Sequence, residues 1–159
     1  MPWKDRTPAR AEALAAEPAA LPVRAAPDLS TALAEADIVA TATMSKDPVL
    51  PGAALRPGTH VDLIGAFTAE MREADDETLR RGRLFVDARA TTVGHIGELI
   101  DPMARGVIGE GDVLGDLADL VSGRSAGRVT PEDITVFKNG GGAHLDLMTA
   151  RVILEAYGA

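Results

Sequence analysis

Few residues in this chain have types and spacing suited to chemistry. The three histidines, His60, His95 and His144, stand 35 and 49 residues apart, without the helical or hairpin spacing that lets imidazoles share a metal. There is no cysteine, which excludes thiolate ligands, disulfides and cysteine nucleophiles together, and no metal site is expected. Asp75, Asp76 and Glu77 resemble paired catalytic carboxylates, but consecutive acids ahead of Thr78-Leu79-Arg80-Arg81 read as charges compensating a helix dipole. His60 follows a turn inside an apolar run and reads as structural.

Asp5, Arg6 and Thr7 precede a helix that opens at Pro8. At a strand end, an acid can accept hydrogen bonds from ribose hydroxyls and an arginine can pair with a 2′-phosphate. Equally, Asp5 and Thr7 can cap the helix, and both readings stay open. A dinucleotide fold also needs a strand and a G-x-G-x-x-G turn about 20 residues before its acid. Only four residues precede Asp5, and the one glycine cluster, Gly140 to Gly142, follows a late apolar run. A tight strand-to-helix turn explains that cluster equally well.

The elements that must position these residues alternate in type. Helices are predicted at Thr7 to Ala16, from Asp28 to about Ala36, at Asp75 to Arg81 with Gly82 as the stop, in short pieces such as Leu114 to Val121, and at Ala143 to Tyr157. Strands are predicted at Val23 to Ala26, Ile38 to Thr43 as a buried parallel strand, Thr59 to Ile64, Leu84 to Val86 and Ile134 to Phe137. The chain has 28 alanines and only 3% aromatic residues, so its core is aliphatic, as suits helices on a parallel sheet. The pattern specifies an α/β fold with an open, doubly wound parallel sheet. Ligands of such sheets bind beyond the carboxyl ends of the strands.

The length of 159 residues fits one domain, and a formal net charge of -8 argues against nucleic acid, which wants a basic face. No apolar run is long enough to span a membrane and no signal-like stretch opens the chain, so a cytoplasmic location is expected.

The run from Ala36 to Arg89, ADIVATATMSKDPVLPGAALRPGTHVDLIGAFTAEMREADDETLRRGRLFVDAR, resembles the ornithine cyclodeaminase and mu-crystallin family. So do GELI at Glu98, GDLADLVSGR at Asp116 and ITVFKNGGGAHLDLMTARVI toward the end. The resemblance implies a Rossmann-like sheet truncated at its N-terminus with a long C-terminal helix. Residues 1–159 are then a partial NAD(P)-binding domain whose helix Ala143 to Tyr157 packs on an absent substrate and dimerisation half. Family members are about twice as long and expected to be homodimers, so this chain alone is expected to be inactive.

By the same resemblance Asp5, Arg6 and Thr7 match the positions holding the adenosine end of an NAD(P)(H) cofactor, with NADP(H) slightly favoured. Thr41, Ala42, Thr43 and Met44 match the strand end along the cofactor. Ile64, Gly65 and Ala66 match the edge beneath the nicotinamide, and Asn139 with Gly140 match the turn that closes over it. Cyclodeaminases of the family place a catalytic Asp where this chain has Phe67, and a Lys where it has Met71. Phe has no proton to exchange. The resemblance therefore points to the branch that reduces cyclic imines such as pyrroline-2-carboxylate or piperideine-2-carboxylate with NAD(P)H. A cyclodeaminase forming proline and ammonia, or a non-catalytic crystallin-like binding module, are the alternatives. The small-molecule partner is a cyclic imino acid or amino acid, and His95, in a loop near the expected nicotinamide, is the candidate proton donor.

Overall fold

The computed structural model describes residues 2–3, 7–17 and 22–158. Five parallel strands form the main sheet: β3 (Ile38–Thr41), β4 (His60–Leu63), β5 (Gly82–Val86), β6 (Val113–Asp116) and β7 (Ile134–Lys138), in the order β3-β4-β7-β5-β6. The last strand is thus inserted between β4 and β5. A separate parallel pair joins β1 (Pro2–Trp3) to β2 (Arg24–Ala25). The helices are α1 (Pro8–Ala16), α2 (Leu29–Glu35), α3 (Asp76–Arg81), α4 (Arg89–Thr92), α5 (Gly97–Ala104), α6 (Leu117–Val121) and α7 (Ala143–Tyr157).

Local chemistry sets several boundaries. Asp28 starts α2 by accepting from the Thr31 amide at 2.8 Å, and Asp75 starts α3 by accepting from Thr78 N at 2.8 Å. Asp75 also accepts from Gly52 N at 2.9 Å, so one cap ties a short 3₁₀ turn to the helix. Asp76, expected only to offset the dipole, also pairs with Arg72 at 3.0 Å and with Arg105 at 2.6 Å. These guanidinium contacts, Arg105 first, hold its carboxyl well below the ordinary carboxylate range.

One face of the sheet carries the core. Val61, Leu63, Val136, Leu84, Val86 and Val113 pack there against Leu33 of α2, Leu79 of α3 and Leu99 of α5, all nearly fully buried. Each such side chain contributes about 1.5–3 kcal/mol by leaving water.

Two expectations need correction. The apolar run at Ile38 was expected to be a buried strand reaching Thr43. It ends at Thr41 and is an edge of the five-stranded sheet, so Ile38 remains 69% exposed. Leu114 to Val121 is not one helical piece, because its first residues belong to β6 and Asp116 then caps α6 by accepting from Asp119 N. The helix α5, to which no element was assigned from sequence, forms across Gly97 to Ala104 with Pro102 within it.

The terminal helix α7 spans the expected Ala143 to Tyr157, and most of its large apolar side chains face solvent: Leu147, Met148, Val152, Ile153 and Leu154 are all more than half exposed. Such a surface favours association. The average mass seen by sedimentation should therefore rise above 16.5 kDa with concentration, and Leu147→Lys with Val152→Lys should abolish the rise. A strictly monomeric chain at high concentration would contradict this.

Candidate functional site

The five strands end level. Thr41 of β3 is in register with Leu63 of β4, Leu63 with Lys138 of β7, Lys138 with Val86 of β5, and Val86 with Asp116 of β6. The residues that follow each strand therefore share one rim, where parallel sheets bind ligands. Ala42, Thr43 and Met44 leave β3 there, Ile64 to Phe67 leave β4, and Asn139 with Gly140 leave β7.

Hydrogen bonds tie these segments together. Ile64 N donates to Thr41 O at 2.8 Å, and Asn139 N donates to Leu63 O at 3.0 Å. At Gly65 the approach is close enough that a Cβ would overlap both the amide nitrogen and the carbonyl oxygen of Thr43. Only glycine fits this crossing. Gly140 is similarly pressed on Thr92 and Asp87, so no side chain fits between β7 and α4.

The surface formed here is largely apolar and open. Met44 is 73% exposed, Phe67 is 59% exposed, and Ile64 is also exposed, whereas Ala66 is buried. Thr41 Oγ1 is buried without a hydrogen-bond partner among the described residues. Exposed apolar side chains around a glycine crossing, with an unpartnered hydroxyl at the strand end, fit a flat ring that carries a polar substituent.

The structure brings together Thr41, Ala42, Thr43, Met44, Ile64, Gly65, Ala66, Asn139 and Gly140. Asp5 and Arg6 lie outside the described residues, while Thr7 stands at the N-cap of α1, away from this rim in sequence. His95 is exposed in the loop between α4 and α5. That loop reaches the β4 rim because Gly97 N donates to Thr68 O at 2.9 Å. Among the described residues no group of three or more His, Cys, Asp or Glu could hold a metal, and no helix is long and apolar enough to cross a membrane.

Sequence reasoning missed the charges beneath this rim. Glu73, Glu98 and Lys138 are all fully buried. Glu73 accepts from Thr43 N at 2.6 Å, Gly65 N at 2.7 Å and Ala66 N at 3.3 Å. Glu98 in turn accepts from Glu73 N at 2.8 Å and Ala74 N at 2.9 Å, and the Lys138 ammonium donates to Leu63 O at 2.9 Å. Burial pushes the Glu98 pKa up against those two amide bonds and the pull of Lys138. Burial also lowers the Lys138 pKa, opposed first by Glu98 and then by Glu73. The only sequence signal was their place inside the Met-Arg-Glu, Gly-Glu-Leu-Ile and Phe-Lys-Asn stretches.

His60 lies at the other end of β4, where its Nδ1 is 2.8 Å from Thr135 Oγ1 across the strand pair. Burial holds its pKa below the usual 6.5; the Asp62 charge opposes this and the Arg128 charge adds to it. The folded chain thus binds this proton less readily than the unfolded one. The stability tied to neutral His60 is complete above pH 6.5 and declines as pH falls through the folded value. Thermal midpoints should drop between pH 7.5 and 5.5, and His60→Gln should flatten that part of the profile. An unchanged slope in the variant would show that other groups set it.

The chain is also similar to known proteins. The pattern of the ornithine cyclodeaminase/mu-crystallin family matches residues 3–159. A Delta(1)-pyrroline-2-carboxylate reductase of Paracoccus denitrificans is 61% identical over 126 residues, covering 79% of this chain and 40% of that protein. The structure of the Thermococcus litoralis Delta(1)-pyrroline-2-carboxylate reductase in complex with NADH and L-proline superposes with a TM-score of 0.78 at 35% identity, over 84% of this chain and 41% of that one. The iminosuccinate reductase of Paracoccus denitrificans in complex with NAD+ gives 0.75 at 34% identity, over 85% and 41%. The chain thus spans about two fifths of the length of these relatives. With its pattern matched from residue 3 to the last, and a parallel sheet of the same form, the chain belongs to the ornithine cyclodeaminase/mu-crystallin family.

Proposed function

We propose that this chain is the cofactor-binding part of an NAD(P)H-dependent reductase of cyclic imines of the pyrroline-2-carboxylate or piperideine-2-carboxylate type. The observation that carries this reading is Phe67. It stands exposed on the rim two residues after the Gly65 crossing, where the family's cyclodeaminases are expected to carry a catalytic Asp. An apolar ring there cannot move a proton at a substrate's α-carbon, but it can cover one side of a hydride-transfer site and exclude water from it. The relatives whose structures hold NADH or NAD+ support the nicotinamide part of the reading.

In this reading Thr41 to Met44 and Ile64 to Ala66 hold the nicotinamide end, Asn139 and Gly140 flank it, and Asp5, Arg6 and Thr7 bind the adenosine end. A reduced nicotinamide held there would supply the hydride for the imine carbon, with a proton needed at the ring nitrogen to give the cyclic amino acid. His95 is the proposed source of that proton. Residues 1–159 act as a partial Rossmann unit, and α7 packs on a substrate-binding half. The whole protein is proposed to work as a homodimer.

The test is a chimera in which this chain's residues replace the matching 126 residues of the Paracoccus denitrificans reductase. It should reduce pyrroline-2-carboxylate with NAD(P)H at a rate within about tenfold of the parent and release no ammonia from ornithine. In the same chimera His95→Ala should lower turnover about tenfold with little change in cofactor affinity. A folded chimera that deaminates ornithine, or that binds cofactor without reducing the imine, would overturn the reading.

A further inference from the structure

We propose that Glu73 is a positioning residue that holds the two cofactor-facing loops of this site in one fixed relation. The proposal rests on the nicotinamide reading above. Its basis is an uncommon arrangement: one fully buried carboxylate takes three backbone N–H groups from two different strand ends. Oε1 accepts from Thr43, just past β3, and Oε2 accepts from Gly65 and Ala66, just past β4. Amides that run on past a strand end have lost their ladder partners and would turn to water or to ligand. Here a charged acceptor takes them, and charge-assisted bonds are about twice as strong as neutral ones.

Glu73 is itself held from behind. Its amide donates to Glu98 at 2.8 Å, and its carbonyl accepts from Val49 N and Leu50 N, both at 2.8 Å. Backbone contacts on both sides thus leave the carboxylate little room to shift. The Gly65 crossing completes the device, since the absence of Cβ lets the β4 end reach both Thr43 and the Glu73 oxygen. The outward sides of the same residues present Met44, Ile64 and Phe67. A ring lying there is aligned by two loops whose spacing Glu73 sets.

The substitution that isolates this role is Glu73→Gln. It keeps the shape but turns one acceptor atom into an NH2 donor, which must then face an amide N–H. On the ¹⁵N-labelled chain, hydrogen exchange should lose at least about tenfold of its protection at Thr43, Gly65 and Ala66, while Val61, Leu84 and Val136 keep theirs. NADH should shift the Thr43, Gly65 and Ala66 amides of the unsubstituted chain, and Glu73→Gln should weaken that response about tenfold or more. Equal protection in both chains, or a loss spread evenly over the whole sheet, overturns the proposal. If the unsubstituted chain gives no NADH response at these amides, the cofactor reading fails; if both chains respond equally, the role of Glu73 fails. Should Glu73→Gln not fold, couplings across the hydrogen bonds from the Thr43 and Gly65 nitrogens to the Glu73 carboxyl carbon, measured on the unsubstituted chain, decide the matter, and their absence overturns the proposal.

Discussion

Lys138→Met should destabilise the chain by about 1–3 kcal/mol, the cost of leaving the buried Leu63 carbonyl unsatisfied and two buried carboxylates without a nearby cation. Lys138 is fully buried at the end of β7, and its ammonium donates to Leu63 O at 2.9 Å. Glu98 and Glu73 are the nearby anions that most oppose the loss of its proton. Methionine keeps the length and apolar stem but removes the cation that offsets both carboxylates. The loss should also depend on pH. Burial already raises the Glu98 pKa, and without Lys138 it rises further, so the folded variant takes up a proton more readily than the unfolded chain. Stability linked to a raised carboxyl is present at low pH and is lost as pH rises through the folded value. The deficit measured by urea unfolding should therefore narrow from pH 7 toward pH 5. A deficit below about 1 kcal/mol would show that the two carboxylates are adequately served by backbone amides alone.

Gly65→Ala should cost about 3 kcal/mol, at the upper end of what overpacking a close-packed site costs. The added methyl would overlap the Thr43 backbone on one side and approach the Glu73 carboxylate on the other. Neither is the free end of a flexible side chain. Relief requires the β3 and β4 ends to part, which also breaks the Glu73 bonds and moves Met44 away from Phe67. Gly111→Ala provides the control, because a Cβ there meets nothing within 4 Å. It should change stability by no more than about 0.5 kcal/mol. Equal effects of the two substitutions in thermal or urea unfolding would refute the crossing as described.

The parallel α/β plan was legible because β4, β5 and β7 are compact, largely apolar runs followed closely by Gly65, Asp87 and Asn139, and α2 and α3 carry visible caps. Asp28 and Asp75 illustrate this, since each sits where its side chain meets the amide three residues on. Other features were hidden for physical reasons. The edge position of β3 depends on which strand pairs beside it, and Ile38-Val39-Ala40-Thr41 reads the same for an edge as for a centre. The β6 strand was obscured because Gly115 and Asp116 are poor strand formers held in place by pairing with Phe85 and Val86. In α5, Pro102 disguised a helix whose Leu99 nevertheless packs in the core.

The rim itself was reached through resemblance, residue by residue, and the level register of the strand ends then gave it a geometry. What neither spacing nor composition could show is that Glu73, Glu98 and Lys138 lie inside. Charged residues are ordinarily read as solvent-facing, and only the three-dimensional path of the backbone supplies their partners.

The central claim, that the ends of β3, β4 and β7 form the nicotinamide site, is tested most directly by titrating NADPH and NADH into the ¹⁵N-labelled chain. Amide shifts should be confined to Thr41 to Met44, Ile64 to Phe67, Asn139 and Gly140, with the adenosine end reporting at Asp5 to Thr7. Half-saturation should lie above about 1 mM, because no G-x-G-x-x-G turn occurs in residues 1–159 to cradle the pyrophosphate. Shifts centred instead on the opposite end of the sheet, around His60, Arg128 and Thr135, or saturation at micromolar cofactor, would contradict the account.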